Sequence, residues 1–349
     1  MAFSWKQADV KTINGVHKRI APVIISASRS TDIPGFYGKW FMNRLKAGYV
    51  RWNNPFNAAQ PQYVSFQNAR VIVFWTKNAA PFEKYLDELD SYHINYYFTY
   101  TINDYEKEAF EPGIPALVNR IESFQRLAER VGKERVIWRF DPLVLTSTLS
   151  VEELLRRAEA IGECLHSYTQ KMVFSFADIG GYKKVERNLT AHTPNWRSFS
   201  VQDMKEFAEG ISAINKKWGL SLATCGEEVD LASYGIIPNS CVDGELMLRL
   251  FPKDRALWEF LAPQYKINAE PQSLFEEERT EFVTDNINAN YKDKGQREAC
   301  GCVVSKDIGQ YNTCPHHCVY CYANFSRKTV DNNCSHFDEK GETIISPMG

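Results

Sequence analysis

No apolar run in these 349 residues approaches the roughly 20 needed for a bilayer-spanning helix, so no membrane partner is expected. The opening stretch, Met1-Ala-Phe-Ser-Trp-Lys-Gln7, lacks the apolar core of a signal peptide, which leads us to expect a cytoplasmic protein. An excess of one charge is also missing. Lys and Arg number 41 against 43 Asp and Glu, a net charge of −2, so no global positive field points to nucleic acid. There is no solenoid-period repeat and no low-complexity tract. Glycine is absent from Ser26-Ala-Ser-Arg-Ser-Thr-Asp-Ile-Pro34 until Gly35, and with it any dinucleotide-binding fingerprint.

What is present is a full apolar complement, 44% hydrophobic against 24% charged, enough for a folded core. From Pro22 to Phe251, short β-rich runs alternate with amphipathic stretches. Strands are predicted at Val23–Ser28, Arg70–Trp75, Tyr96–Thr101, Arg135–Phe140, Lys171–Phe176 and Ser221–Thr224. Helices are predicted at Phe36–Ala47, Ala80–Ser91, Ile114–Val131, Val151–Ser167 and Val201–Trp218. Ser150 and Ser200 read as N-caps and Gly219 as a stop. This alternation predicts parallel βαβ units in an α/β fold. Six such units favour a TIM-type (β/α) barrel, partial or permuted, over a doubly wound sheet. The barrel would span residues 1–262, with a Cys-rich, ligand-held C-terminal extension over 263–349.

The cysteines are unevenly placed: six of nine fall between Cys300 and Cys334. In a reducing compartment this suggests metal or redox chemistry before disulfides. Cys314-Pro-His-His-Cys318-Val-Tyr-Cys321 aims three thiols from one short loop and leaves a fourth ligand position open. Soft thiolates select iron–sulfur or zinc, and His316, His317 or His336 would complete a zinc site. Cys225, Cys241, Cys300 and Cys302 would close a second site, zinc or iron–sulfur, unless Cys225 and Cys241 are small core residues. Cys164 reads as helix core and Cys334 as incidental.

In parallel barrels, chemistry gathers where strands end. The strand ends here carry Ser28, Arg29, Asp32, Lys77 and Asn78, read as the cofactor-binding set. Arg29 and Lys77 suit a carboxylate or phosphate. Arg139, Asp141 and Glu227 form the candidate catalytic set. Arg139 and Asp141 alternate along a strand and so share a face; Glu227 and Glu228 suit ribose hydroxyls or proton transfer. Trp52 and Trp75 would stack a base or pack the core.

The C-x3-C-x2-C spacing, with Tyr320 before the last cysteine, resembles the radical S-adenosylmethionine signature. Its Cys-Tyr-Ala context resembles the spore photoproduct lyase branch. That resemblance implies a [4Fe–4S] cluster on Cys314, Cys318 and Cys321, with S-adenosylmethionine chelating the fourth iron. It also implies an electron donor such as flavodoxin or ferredoxin. The motif departs from the pattern by lying near the C-terminus instead of after the first strand. The whole chain resembles the DUF1848 family through Ile25-Ser-Ala-Ser-Arg-Ser-Thr-Asp-Ile-Pro34, Val73-Phe-Trp-Thr-Lys-Asn78, Trp138-Arg-Phe-Asp-Pro-Leu143 and Ser305-Lys-Asp-Ile-Gly309. Three functions are therefore expected to compete. The first is an iron–sulfur enzyme that reductively cleaves S-adenosylmethionine to act on a small-molecule substrate. The second is a non-radical metalloprotein. The third is a DNA-repair protein that binds nucleic acid.

Overall fold

The computed structural model describes residues 4–12, 15–54, 57–265, 293 and 300–345. Most of the charged stretch from Pro263 to Lys294 lies outside them. Eight strands form the central sheet: β1 (Ile24–Ala27), β2 (Val71–Thr76), β3 (Asn95–Thr101), β4 (Val136–Leu143), β5 (Lys171–Phe176), β6 (Ser221–Thr224), β7 (Ile236–Pro238) and β8 (Lys306–Asp307). In space they run β7-β6-β5-β4-β3-β2-β1-β8, and every pairing is parallel.

The chain is thus a mixed α/β protein with a large parallel sheet. Among the described residues no ladder joins β7 to β8, so the sheet is open and the expected TIM-type barrel, partial or permuted, is seen only as its parallel sheet and helices. Both edge strands are very short, three and two residues, and β7 ends at Pro238, which has no N–H to donate. One backbone bond, Val303 N to Val242 O at 3.1 Å, bridges the gap.

The two faces of the sheet differ in a way the period of two explains. One face carries Ile25, Ile72, Phe74, Phe98, Trp138, Phe140 and Phe174, packed under the amphipathic helices into the larger core cluster. Along the other face, each strand is apolar at its start and polar at its end. Ile24 gives way to Ser26 and Ser28, Val73 to Trp75, Ile137 to Arg139 and Asp141, Val173 to Ser175, and Ala223 to Cys225. The apolar starts pack on Leu246, Met247, Leu257 and Leu261, which come from helices Gly244–Leu250 and Arg255–Leu261 and plug that end. The polar ends are left to face a cavity at the other.

Local signals hold. Ser150 Oγ accepts from Glu153 N at 3.2 Å to cap helix Val151–Leu165. Ser200 forms a capping box with Asp203 on helix Val201–Asn215. Gly219 sits at φ +68, where glycine avoids the Cβ penalty. Outside the predicted elements, Gln7–Thr12, Gly15–Ile20, Asn57–Ser65 and Tyr49–Asn54 build a separate four-stranded sheet.

Candidate functional site

The cavity measures about 640 Å³ and is lined by strand ends of the large sheet and by the C-terminal segment. Its position follows from β8. Lys306 and Asp307 pair with Ile25 and Ser26, which brings the Cys314–Cys321 loop beside the end of β1. In spatial order the thiol loop therefore follows the strand that precedes β1, although it comes late in the chain. Asp307 fixes the junction: Ser26 Oγ, Ser28 Oγ, Arg29 N and Gly309 N all donate to its carboxylate, at 2.9, 2.7, 2.8 and 2.8 Å. The loop itself docks on residues 110–113 through Val319 N to Phe110 O (2.8 Å) and Gly113 N to His316 O (2.9 Å).

Cys314, Cys318 and Cys321 all line the cavity. Burial pushes the Cys314 thiol up to about 12 and Cys318 well above its ordinary value, with the nearby Lys77 pulling Cys318 the other way. The neighbouring histidines are spoken for. His316 sits between Asp32 Oδ2 (2.7 Å) and the Gly113 carbonyl (3.2 Å), so both its ring nitrogens face oxygen. His317 Nε2 meets Asp331 Oδ1 at 3.0 Å, and His336 Nδ1 meets Asn332 O at 2.7 Å. A fourth, histidine ligand to this trio has no support from these contacts.

Cys225, Cys241, Cys300 and Cys302 line the same cavity. Cys225 Sγ lies 3.0 Å from Cys241 Sγ, and the Cys241 and Val242 amides each donate to Cys302 Sγ at 3.2 Å. Hydrogen bonds from Cys225 and Cys302, with Arg139 beside it, pull the Cys241 thiol well below its ordinary value. The Cys302 contact brings Cys300 down to about 7. Among the described residues, no three His, Cys, Asp or Glu side chains are drawn together as a formed metal cage. What bears on metal binding is the donor set. Seven thiols around one cavity, none in a disulfide, are the soft ligands that iron–sulfur clusters and zinc take.

Arg139 and Asp141 share the cavity face, as their alternation predicts. They pair through Nε to Oδ1 at 3.2 Å and Nη2 to Oδ2, while Nη1 donates to Cys241 Sγ at 2.9 Å. Both are buried, at 6% and 9% exposure. Burial works against the Arg139 charge, but Asp141 and the adjacent thiols hold it on. Lys77 Nζ donates to Glu111 Oε1 at 2.7 Å and Tyr320 OH at 3.2 Å; Tyr320 also donates to Glu111. Burial opposes the Lys77 charge as well, and Glu111 more than restores it.

Arg29 donates through Nη1 to Asp293 at 3.0 Å and lies 5.5 Å from the Trp75 ring, while its Nε and Nη2 are buried with no hydrogen-bond acceptor among the described residues. Asp32 lines the cavity, but its oxygens accept from Gly35 N, Lys77 N and His316, so it braces the β1 and β2 loops. Asn78 and Glu227 lie outside the lining. Asn78 N donates to Thr76 Oγ1, and Glu227 Oε1 accepts from Phe176 N at 3.0 Å, tying off the end of β5. Cys164 is exposed, contrary to its reading as core, because it sits on the outward side of its helix.

Sequence reasoning missed Glu111, Tyr320 as a hydrogen-bonding residue, and Asp307. Glu111 lies in an irregular segment, Asn103–Ala116, with no periodicity to mark it. Asp307 was signalled only inside the Ser305-Lys-Asp-Ile-Gly motif.

The model of a family described as "Domain of unknown function (DUF1848)" matches residues 24–323. No curated protein matches. A solved structure titled as a putative alpha-L-fucosidase from Bacteroides thetaiotaomicron is similar at 12% identity and a TM-score of 0.24. The similarity covers 55% of this chain and 85% of that one, and it carries no weight for fold or activity. Among the described residues, no helix is long and apolar enough to cross a membrane.

Proposed function

The chain belongs to the DUF1848 family, and from its site we propose an iron–sulfur enzyme of the radical S-adenosylmethionine kind, acting on a small-molecule substrate in the cavity. One observation carries this reading. Seven cysteines from four stretches of chain line a single cavity together with Arg29, Lys77 and Arg139. The placement of β8 supports it, because the thiol loop then follows the spatially first strand despite its late position in the chain.

Cys314, Cys318 and Cys321 would hold a [4Fe–4S] cluster, leaving a position for S-adenosylmethionine. When bound, such a cluster supplies one electron to cleave the sulfonium reductively. The residues of this chain do the rest. Lys77, held by Glu111 and Tyr320, sets a fixed positive charge beside Cys318 and offsets thiolate charge. Arg29 offers a guanidinium face beside Trp75, suited to a carboxylate. Ser28 and Asp32 hold the β1 loop in shape around it. Arg139 is paired bidentately with Asp141, so this pair orients substrate polar groups; Asp141 is no free base while the pair is closed. Glu227 acts from behind, through the backbone at the end of β5. An external one-electron donor, flavodoxin or ferredoxin in type, completes the scheme. The near balance of 41 basic and 43 acidic residues lends a DNA substrate no added support.

Anaerobic purification followed by iron and sulfide quantification, wild type beside Cys318→Ala, tests the cluster. We expect brown wild-type protein and a variant stripped of most iron. Dithionite with S-adenosylmethionine should then release 5′-deoxyadenosine. Iron-free wild type sinks the reading; a cluster that never cleaves S-adenosylmethionine removes the radical step and leaves a redox or structural metalloprotein.

A further inference from the structure

We infer that Cys225, Cys241, Cys300 and Cys302 form a second and separate centre, a closed tetrathiolate site for one zinc ion, which staples the two edges of the open sheet. This does not rest on the iron–sulfur reading. The four residues come from both sides of the gap. Cys225 directly follows β6 and Cys241 lies just past β7, while Cys300 and Cys302 lead into β8. Among the described residues, the gap has one backbone bond of its own, Val303 N to Val242 O, and Cys241 and Cys302 immediately precede its two ends.

The contacts resemble a collapsed ligand shell. Cys225 and Cys241 sulfurs are 3.0 Å apart, and Cys302 accepts two backbone N–H groups. Tetrahedral zinc with Zn–S of about 2.3 Å spaces its sulfurs ~3.8 Å apart, so the touching pair need part by less than ~1 Å. A [4Fe–4S] cluster puts each thiolate on its own iron, a wider frame than the Cys225–Cys241 contact, which favours a single ion over a cube.

Donors aim at the sulfurs as they do around thiolate ligands. Arg139 Nη1 and Asn239 Nδ2 reach Cys241 Sγ at 2.9 and 3.2 Å. Arg29, whose charge is felt at both Cys300 and Cys302, keeps two buried N–H-bearing nitrogens, Nε and Nη2, without an acceptor among the described residues. Four core thiols in an apolar cluster would need none of these donors. Thiolates on zinc leave an anionic site that the arginine charges partly offset.

The test uses full-length protein. A Cys314→Ser/Cys318→Ser/Cys321→Ser variant, grown with zinc, should retain about one zinc per chain. Cys300→Ser/Cys302→Ser should lose it, whereas Cys164→Ser/Cys334→Ser should not. To keep the test independent of how the double variant folds, cobalt exchanged into the wild type supplies a second readout: visible bands of tetrahedral thiolate cobalt. A zinc-free tail variant that also fails to take up cobalt overturns the site. So does a Cys225–Cys241 disulfide found by mass spectrometry. Iron with sulfide surviving in the tail variant overturns the single-ion assignment. Wild type that binds zinc but no iron would sink the proposed function and leave this site standing.

Discussion

The two thiol groups share a cavity but are built differently. The seam group takes its sulfurs from three stretches of chain that the parallel sheet itself brings together, and two of them, those of Cys225 and Cys241, touch. The tail group takes three from one eight-residue loop, and that loop keeps its place through contacts to segment 110–113, Asp32 and Lys77. Geometry at the seam is thus set by strand register, and geometry at the tail by loop docking, backbone bonds to residues 110–113 together with the His316–Asp32 and Tyr320–Lys77 pairs. Perturbing one support should leave the other group intact.

The severest break is Glu111→Ala. It leaves Lys77 buried without its carboxylate, and removing one partner of a buried pair costs about 3–5 kcal/mol. Denaturant unfolding should show that loss, and metal analysis should show iron lost from the tail group while the zinc proposed for the seam stays. Zinc lost in step with iron would mean the two groups are one unit.

Gly113→Ala sharpens the same contrast. A Cβ there would run into the Pro315 carbonyl and come within 2.8 Å of His316 Cα, both backbone. Overpacking of this kind costs about 1–3 kcal/mol and should displace the tail loop selectively, read as iron content after reconstitution. Gly301→Ala, its seam counterpart, meets the Ser240 hydroxyl at 2.5 Å, a side chain that can rotate away, so its effect should be smaller. Ser150→Ala removes a cap far from both groups. It should cost about 1 kcal/mol in unfolding experiments and leave both metals in place.

The mildest test is pH. Burial pulls the Lys306 amine down to about 8. The unfolded chain then holds more protons than the folded one from about pH 8 to the ordinary lysine range, so stability should rise with pH across that window. Lys306→Met should gain stability at pH 7 and flatten that rise, less whatever the contact of Lys306 with the Trp52 ring, 3.3 Å to its centroid, contributes. An unchanged profile would remove Lys306 as the cause.

The sheet was legible because its strands are buried on both faces. Runs such as Val71–Thr76 and Lys171–Phe176 are continuously apolar or aromatic and short, and helix caps such as Ser200 have local chemistry. Helix Ala80–Ser91 was legible as a stretch but not in kind. Its first half is a 3-10 turn, Ala80–Tyr85, with Pro81 near the start, followed by a short α-helix, Leu86–Asp90. The mixed sheet of Gln7–Thr12, Gly15–Ile20, Asn57–Ser65 and Tyr49–Asn54 was missed because its strands carry polar residues on both sides and alternate poorly. β7 and β8 were missed because two or three residues show no period. Of the site, Arg139 and Asp141 were readable from alternation, and the thiol loop from spacing. Glu111, Asp32's bracing role and the diversion of Glu227 to Phe176 depend on contacts far apart in the chain, which no local pattern encodes.

β8 has a consequence for how the molecule is made. Ser26 and Asp307 are 281 residues apart, so the first strand emerges from the ribosome long before its neighbour exists. Until the last segment is synthesised, β1 stays an uncovered edge and neither thiol group has all its members. Any metal these two groups hold would therefore be loaded only on the finished chain, and a protein interrupted near its end would be left with an exposed strand and a half-built mouth.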